Sequence, residues 1–304
     1  VSTTGIERTS RKERRKERKA SWVDTPYAKV PVITALFWIV KLLTTALGEA
    51  TSDSFISVPY VMPVVLFAFI WGFRRQLRST HYQAVPYWFT VAGIAIFGTF
   101  GSDVTLVLAA GGNTHPPLLP SMVVTLAYAG ATAWTLRRWY QSEGTLDVHS
   151  ITTRRRQRYY WWTVTFTFCM GTAAGDTTAG PMHLGLLGSI GLFGVAILIP
   201  WLLHNRGYIN SIVAFWSAYV LTRPLGASIA DWLDKPVHDT GHGGGGIDLG
   251  TLPVAGVAML LFAGLVTYLA VKRPDVQEPL EGVEFADPAL APGQRQPEPG
   301  RAQA

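Results

Sequence analysis

Four hydrophobic segments of this 304-residue chain carry one stencil: a tryptophan, a glycine ten residues later and an aspartate five beyond that. The sets are Trp38, Gly48 and Asp53; Trp88, Gly98 and Asp103; Trp161, Gly171 and Asp176; and Trp216, Gly226 and Asp231. A carboxylate is costly in or near hydrocarbon, so its return at a fixed offset in four apolar segments points to an internal repeat built around a shared polar site. Any fold for this chain must give four helices equivalent surroundings.

The apolar stretches run over about 31–56, 58–73, 85–110, 118–136, 159–179, 184–203, 209–233 and 251–271. At about 20 residues per crossing, each is long enough to span a bilayer. With 48% hydrophobic and only 15% charged residues, the composition is that of a membrane protein. The expected fold class is all-α: a polytopic protein of eight transmembrane helices arranged as four parallel two-helix repeats, at about 29–78, 79–140, 155–206 and 207–272. Residues 1–28 read as a basic tail and 273–304 as a Pro- and Glu-rich tail, both disordered and cytoplasmic. No cleavable signal segment is expected, because no apolar run stands behind the basic N-terminal residues.

Charge gives the orientation. The basic tail, Arg74, Arg75 and Arg78, Arg137 and Arg138, Arg154, Arg155, Arg156 and Arg158, Arg206, Lys272 and Arg273 fall on one side of the eight stretches; the opposite loops hold only Lys235. The positive-inside rule makes that basic side cytoplasmic, with both termini there. Anionic lipid beside the basic face accounts for the net charge of +6 without a nucleic-acid partner. Cys169, the single cysteine, forms no intramolecular disulfide and reads as a packing residue.

Helical spacing selects what faces inward. Lys41, Thr45, Gly48, Glu49, Ser52 and Asp53 recur at steps of three and four, as do Thr99, Ser102 and Asp103; Thr165, Cys169, Thr172 and Asp176; and Arg223, Ala227, Ala230 and Asp231. The glycines beside these stripes permit close helix approach. Each aspartate lies near the outer end of its span, where the helix macrodipole is already negative, so four converging ends make a mouth that attracts cations.

The candidate ion-binding residues are therefore Asp53, Asp103, Asp176 and Asp231, with Glu49 as a deeper relay carboxylate and Thr99 and Thr172 supplying neutral oxygens at the equivalent position. Lys41 and Arg223 set the charge of the site, the purely structural alternative being that each pairs with Glu49 or a neighbouring carboxylate. In the last outer loop, Asp234, His238 and His242 offer a weaker metal-ligand set, since no strict spacing accompanies them. Pro224 inside the seventh span removes one backbone hydrogen bond and marks a hinge.

Three functions fit these residues. The first is a cation transport protein for a divalent metal ion, with proton coupling through Glu49. The second is a Mg²⁺-dependent membrane enzyme acting on a lipid or isoprenoid diphosphate, with Asp231 and Asp234 on the metal and Arg223 as a phosphate clamp. The third is a non-catalytic scaffold or sensor acting through the cytoplasmic loop 139–158 and the basic tail. No phosphate loop, nucleophile elbow or zinc-protease motif occurs in the sequence.

Four strings carry a resemblance: Phe37-Trp38 ahead of Asp53; Glu143-Gly144-Thr145-Leu146 ahead of the arginine run; Gly171-Thr172-Ala173-Ala174-Gly175-Asp176; and Leu221-Thr222-Arg223-Pro224-Leu225-Gly226 with Asp231-Trp232. Across 29–272 the chain resembles a bacterial family of multi-spanning membrane proteins usually labelled only as uncharacterised membrane-anchored proteins. The resemblance implies an integral inner-membrane protein and names no substrate.

Overall fold

The computed structural model describes residues 27–58, 60–237 and 245–277. Eight helices account for most of them: α1 (Ala35–Ser57), α2 (Val61–Arg78), α3 (Ala84–Ala109), α4 (Leu118–Glu143), α5 (Arg154–Ala179), α6 (Gly185–Asn205, broken at Ile197), α7 (Ser211–Asp234) and α8 (Thr251–Lys272). No strand occurs among the described residues. Short polar signals start three of the four odd-numbered helices. Thr34, Thr153 and Asn210 accept hydrogen bonds from the backbone N–H groups of Phe37, Arg156 and Val213, relieving donors that a helix leaves unpaired at its start. Gly144 ends α4 in the left-handed conformation, which a glycine adopts without a Cβ clash.

Five helices, α3, α4, α6, α7 and α8, are long and apolar enough to cross a membrane. The other three are less apolar along their length or interrupted by charge: α1 contains Lys41, Glu49 and Asp53, α2 ends in Arg74, Arg75 and Arg78, and α5 opens on the arginine run. For α1 and α5 the reason is position. Both sit in an inner layer with α3 and α7, where side chains meet protein. The apolar windows of α3 and α7 are 56% and 50% buried, against 22% for α4 and α6 and 28% for α8, whose large apolar side chains, Leu126, Leu187, Ile199 and Leu260 among them, face outward.

The inner helices form a ring in which α1 packs on α3, α3 on α5, α5 on α7 and α7 on α1. Two layers of side chains close it. Each stencil tryptophan follows a Phe or Tyr, and that preceding ring meets the tryptophan of the next helix: Phe37 with Trp88 at 5.6 Å between centroids, Tyr87 with Trp161 at 5.6 Å, Tyr160 with Trp216 at 6.2 Å, and Phe215 with Trp38 at 5.7 Å. Tilted and edge-on aromatic contacts of this kind add about 0.5–1.5 kcal/mol each beyond burial.

One layer further along, each stencil glycine abuts the residue three before the glycine of the next helix. A Cβ on Gly48 would stand 2.5 Å from Ala95 Cβ, on Gly98 3.0 Å from Phe168 Cβ, and on Gly171 2.2 Å from Arg223 Cγ. Gly226 meets Thr45 in the same way and completes the circuit. The glycines are there because two helices touch at these points.

The outer helices pair forward. α2 packs on α3, α4 on α5, α6 on α7, and α8 reaches back to α1, so each even helix leans mainly on the odd helix that follows it. The contacts of α3 with α4, α5 with α6 and α7 with α8 are sparser. Thus α8 joins the end of the chain to its beginning.

On the arginine-bearing face the packed structure extends beyond the helices. Lys29 N–H donates to the Ile151 carbonyl (3.0 Å), Tyr82 N–H to the Ala28 carbonyl (3.0 Å) and Val32 N–H to the Asp275 carbonyl (2.9 Å), while Tyr82 hydroxyl donates to Asp275 Oδ2 (2.6 Å). Residues 27, 28 and 273–277, expected to belong to solvated tails, are held here; backbone pairing across the helix ends secures them. The disorder expected for the remaining tail residues concerns positions outside the described residues.

Candidate functional site

Helix geometry alone brings the stencil aspartates to one height. Each lies in the last two turns of an inner-ring helix, five residues past a helix–helix contact, about 7.5 Å along the axis at about 1.5 Å per residue. Asp53, Asp103, Asp176 and Asp231 all line one cavity of about 850 Å³ at the end of the bundle opposite the arginines, together with Glu49, Lys235, His115 and His183. Apolar walls from Leu106, Val107 and Leu118 and the prolines at 116, 117 and 181 narrow it.

Within the cavity, carboxylate oxygens of Glu49, Asp176 and Asp231 lie within 4.8 Å of one another. A second group, Asp53, Asp231 and Asp234, has the same spacing. Oxygen–cation bonds for Ca²⁺ are about 2.3–2.6 Å, so two oxygens on opposite sides of one ion stand about 5 Å apart. Both groups have the dimensions of an oxygen-ligated cation site. Of the weaker loop set, Asp234 joins this second group, whereas His238 and His242 lie outside the described residues.

Lys235, directly after α7, bonds to Asp53 and stands 3.8 Å from Asp231. Burial on its own would lower the affinity of its amine for a proton; the carboxylates of Asp231, Asp53 and Asp234 outweigh that and hold its pKa above the ordinary lysine value. Among the described residues, the cavity's five carboxylates face two cations, Lys235 and Arg223, an excess of three negative charges when all are ionised.

Below the cavity the axis is closed by Arg223, whose side chain is fully buried. Its Nη2 donates to Glu49 Oε2 (2.8 Å), to Thr172 Oγ1 (2.7 Å) and to Thr99 Oγ1, while Nη1 donates to the Thr45 carbonyl (2.9 Å). Glu49, Thr99 and Thr172 occupy one stencil position, the residue after the glycine, on α1, α3 and α5. On α7 that position is Ala227, which brings no oxygen; the same helix supplies the arginine one turn earlier. Glu49 belongs to both layers, lining the cavity and holding the guanidinium. Nη1 and Nη2 are thus both engaged with oxygens of the protein.

Lys41 departs from expectation. Its Nζ lies 4.1 Å from the Phe168 ring centroid and 4.3 Å from that of Tyr219, and has no hydrogen-bond acceptor among the described residues. It does not pair with Glu49, two turns away on α1. A helical side chain leans toward the N-terminus of its helix, which carries the amine away from Glu49 and onto aromatic faces.

Several site features have only a faint sequence signal. Lys235 stands out as the lone base of its loops, but its partner Asp53 is 182 positions distant. The Thr45 carbonyl has no signal, being backbone. The Phe or Tyr ahead of each tryptophan was visible in the repeat, although only contact reveals its purpose. The string Glu143-Gly144-Thr145-Leu146 proves to be a brace: Glu143 pairs with Arg155 (3.2 Å) and Arg156 (3.1 Å), and the Leu146 carbonyl accepts from Trp216 Nε1 (3.0 Å).

A family model described as a Repeat of Unknown Function (DUF347) matches the chain twice, over residues 159–206 and 214–274. These matches cover most of α5 with α6, and most of α7 with α8, so the internal repeat is recognised independently of the stencil. No curated protein and no solved structure matches the chain.

Proposed function

We propose that this chain is an integral inner-membrane cation transport protein whose repeated aspartates bind and select a divalent metal ion at the outer face. In this reading all eight helices cross the bilayer, the four two-helix repeats share one orientation, and the arginine-bearing face with both termini is cytoplasmic. The outward apolar surface of the even helices supports burial in lipid, and the polar α1 and α5 cross because neighbouring helices shield them. Arginine and lysine crowd the end of the bundle away from the cavity, as the positive-inside rule requires of a cytoplasmic face.

The observation that carries the proposal is the convergence of Glu49, Asp53, Asp103, Asp176 and Asp231 on one cavity. A surplus of negative charge in a partly buried cavity favours bound cations or protons, and either occupant suits cation movement. Oxygen donors favour a hard ion such as Mn²⁺, Ca²⁺ or Mg²⁺. Protons compete for the same oxygens, and Glu49, shared between cavity and Arg223, is the natural coupling group. The test is Mn²⁺ uptake by vesicles containing the purified protein. Replacing Asp103 and Asp176 together with Asn should abolish uptake while leaving the protein folded in the bilayer; unchanged uptake removes the reading.

A further inference from the structure

We propose that the Arg223 guanidinium is a tethered occupant of a second, deeper cation site, and that a cation advancing from the carboxylate cavity must displace it. This rests on the transport reading above.

The donor set around the guanidinium is that of a cation site. One carboxylate oxygen (Glu49 Oε2), two hydroxyl oxygens (Thr99 and Thr172) and one carbonyl oxygen (Thr45) converge from α1, α3 and α5 on a single positive group. Carboxylate, hydroxyl and carbonyl oxygens together are the usual ligands of hard cations. Three of the four come from one stencil position, so the repeat itself builds the oxygen ring, and α7 fills it with its own charge.

Four features make the occupant displaceable. Arg223 Nε is buried without a hydrogen-bond partner among the described residues, so the fit is incomplete. Its stem passes Gly171, where a Cβ would lie 2.2 Å from Cγ, so the arm depends on that gap. Pro224 follows directly and has no N–H to return to the Val220 carbonyl, so α7 lacks one helical hydrogen bond beside the arginine. Most important, Glu49 is shared. Its carboxylate lies within reach of Asp176 and Asp231 in the cavity while bonded to Arg223, so an ion drawing on Glu49 from above weakens the hold on the guanidinium below. By reciprocity, releasing the guanidinium strengthens ion binding.

The experiment measures Mn²⁺ binding to the purified full chain, alongside its melting temperature in guanidinium chloride at about 10 mM, too dilute to denature but enough to fill a vacated site. R223A should bind Mn²⁺ about tenfold more tightly than the unaltered chain, within the usual range of coupling between sites. Added guanidinium should reverse that gain and raise the melting temperature of R223A alone, and R223A with Glu49→Gln should lose the gain. If R223A does not fold, R223K, which keeps the charge and loses the fork, should bind Mn²⁺ more tightly than the unaltered chain. Unchanged or weaker Mn²⁺ binding in R223A, or in R223K where R223A fails to fold, overturns the deeper site. If D103N with D176N still weakens binding in that case, the outer site stands alone. No Mn²⁺ binding by any form overturns both readings.

Discussion

Arg223 on α7 and Glu49 on α1 form a salt bridge of 2.8 Å with neither side chain open to solvent, joining the last repeat to the first. Removing one partner of such a pair leaves an uncompensated buried charge, which costs about 3–5 kcal/mol. Glu49→Ala should therefore lower stability by that order in detergent unfolding. The double change with Arg223→Ala should recover a substantial part, and strictly additive losses would show that the two groups are not coupled.

Gly171, at a ring contact, should differ sharply from Gly101, which stands away from one. Gly171→Ala drives a methyl into the Arg223 stem and should cost about 1–3 kcal/mol, the usual penalty for overpacking. At Gly101 nothing lies within 4 Å, so Gly101→Ala should be neutral or add up to about 1 kcal/mol through helix propensity. Melting temperatures of the two variants decide the matter; equal shifts would contradict the ring contacts.

Adjacent tryptophans provide a second contrast. Trp161 is buried among Phe73, Tyr87 and Tyr160, and its replacement by Ala should destabilise by about 3–5 kcal/mol. Trp162 is 60% exposed, and Trp162→Ala should leave the melting temperature nearly unchanged in detergent.

Lys41 tests the cost of a charge held only by ring faces. Met has similar length and no charge, so Lys41→Met should keep or raise stability, by about 1 kcal/mol or more, because it removes a desolvation penalty that no hydrogen bond offsets. A lower melting temperature would mean that the ammonium is needed for the packing of α1 against Phe168 and Tyr219.

The anchor at Asp275 should respond to pH. Burial holds its carboxyl above the ordinary carboxylate range, partly opposed by the hydrogen bond from Tyr82. The folded chain then binds more protons than the unfolded one above the ordinary value of about 4, so this contribution to stability falls as pH rises through the raised pKa. Exchange at the Val32 amide, which donates to the Asp275 carbonyl, should be more protected at pH 4.5 than at pH 7 after correction for intrinsic rates. Asp275→Asn should flatten the difference.

The eight helices were legible because apolar runs of bilayer length leave the backbone few alternatives, and their observed bounds fall within a few residues of those runs except where polar ends extend α2, α4 and α5. The gathering of the aspartates on one cavity was legible too, since equal offsets along equal helices give equal heights. Partner choice was not. The two-helix repeats group each odd helix with the even helix after it, whereas the contacts run chiefly from each even helix to the next odd one. Lys41 was misread for a related reason: a stripe fixes the face of a helix and leaves open whether that face meets acids or aromatic rings.

The sequence alone determined which residues are equivalent, because a helix advances and turns by a fixed step and a repeated offset must return to the same height and face. Only the tertiary structure decided what those residues touch. Gly48 meets Ala95, Phe215 meets Trp38, and Arg223 fills the place where three sister helices present oxygen. Such contacts, Thr45 with Arg223 across 178 residues among them, exist only once the ring closes and brings the first repeat against the last in a packed interior that tolerates few alternatives.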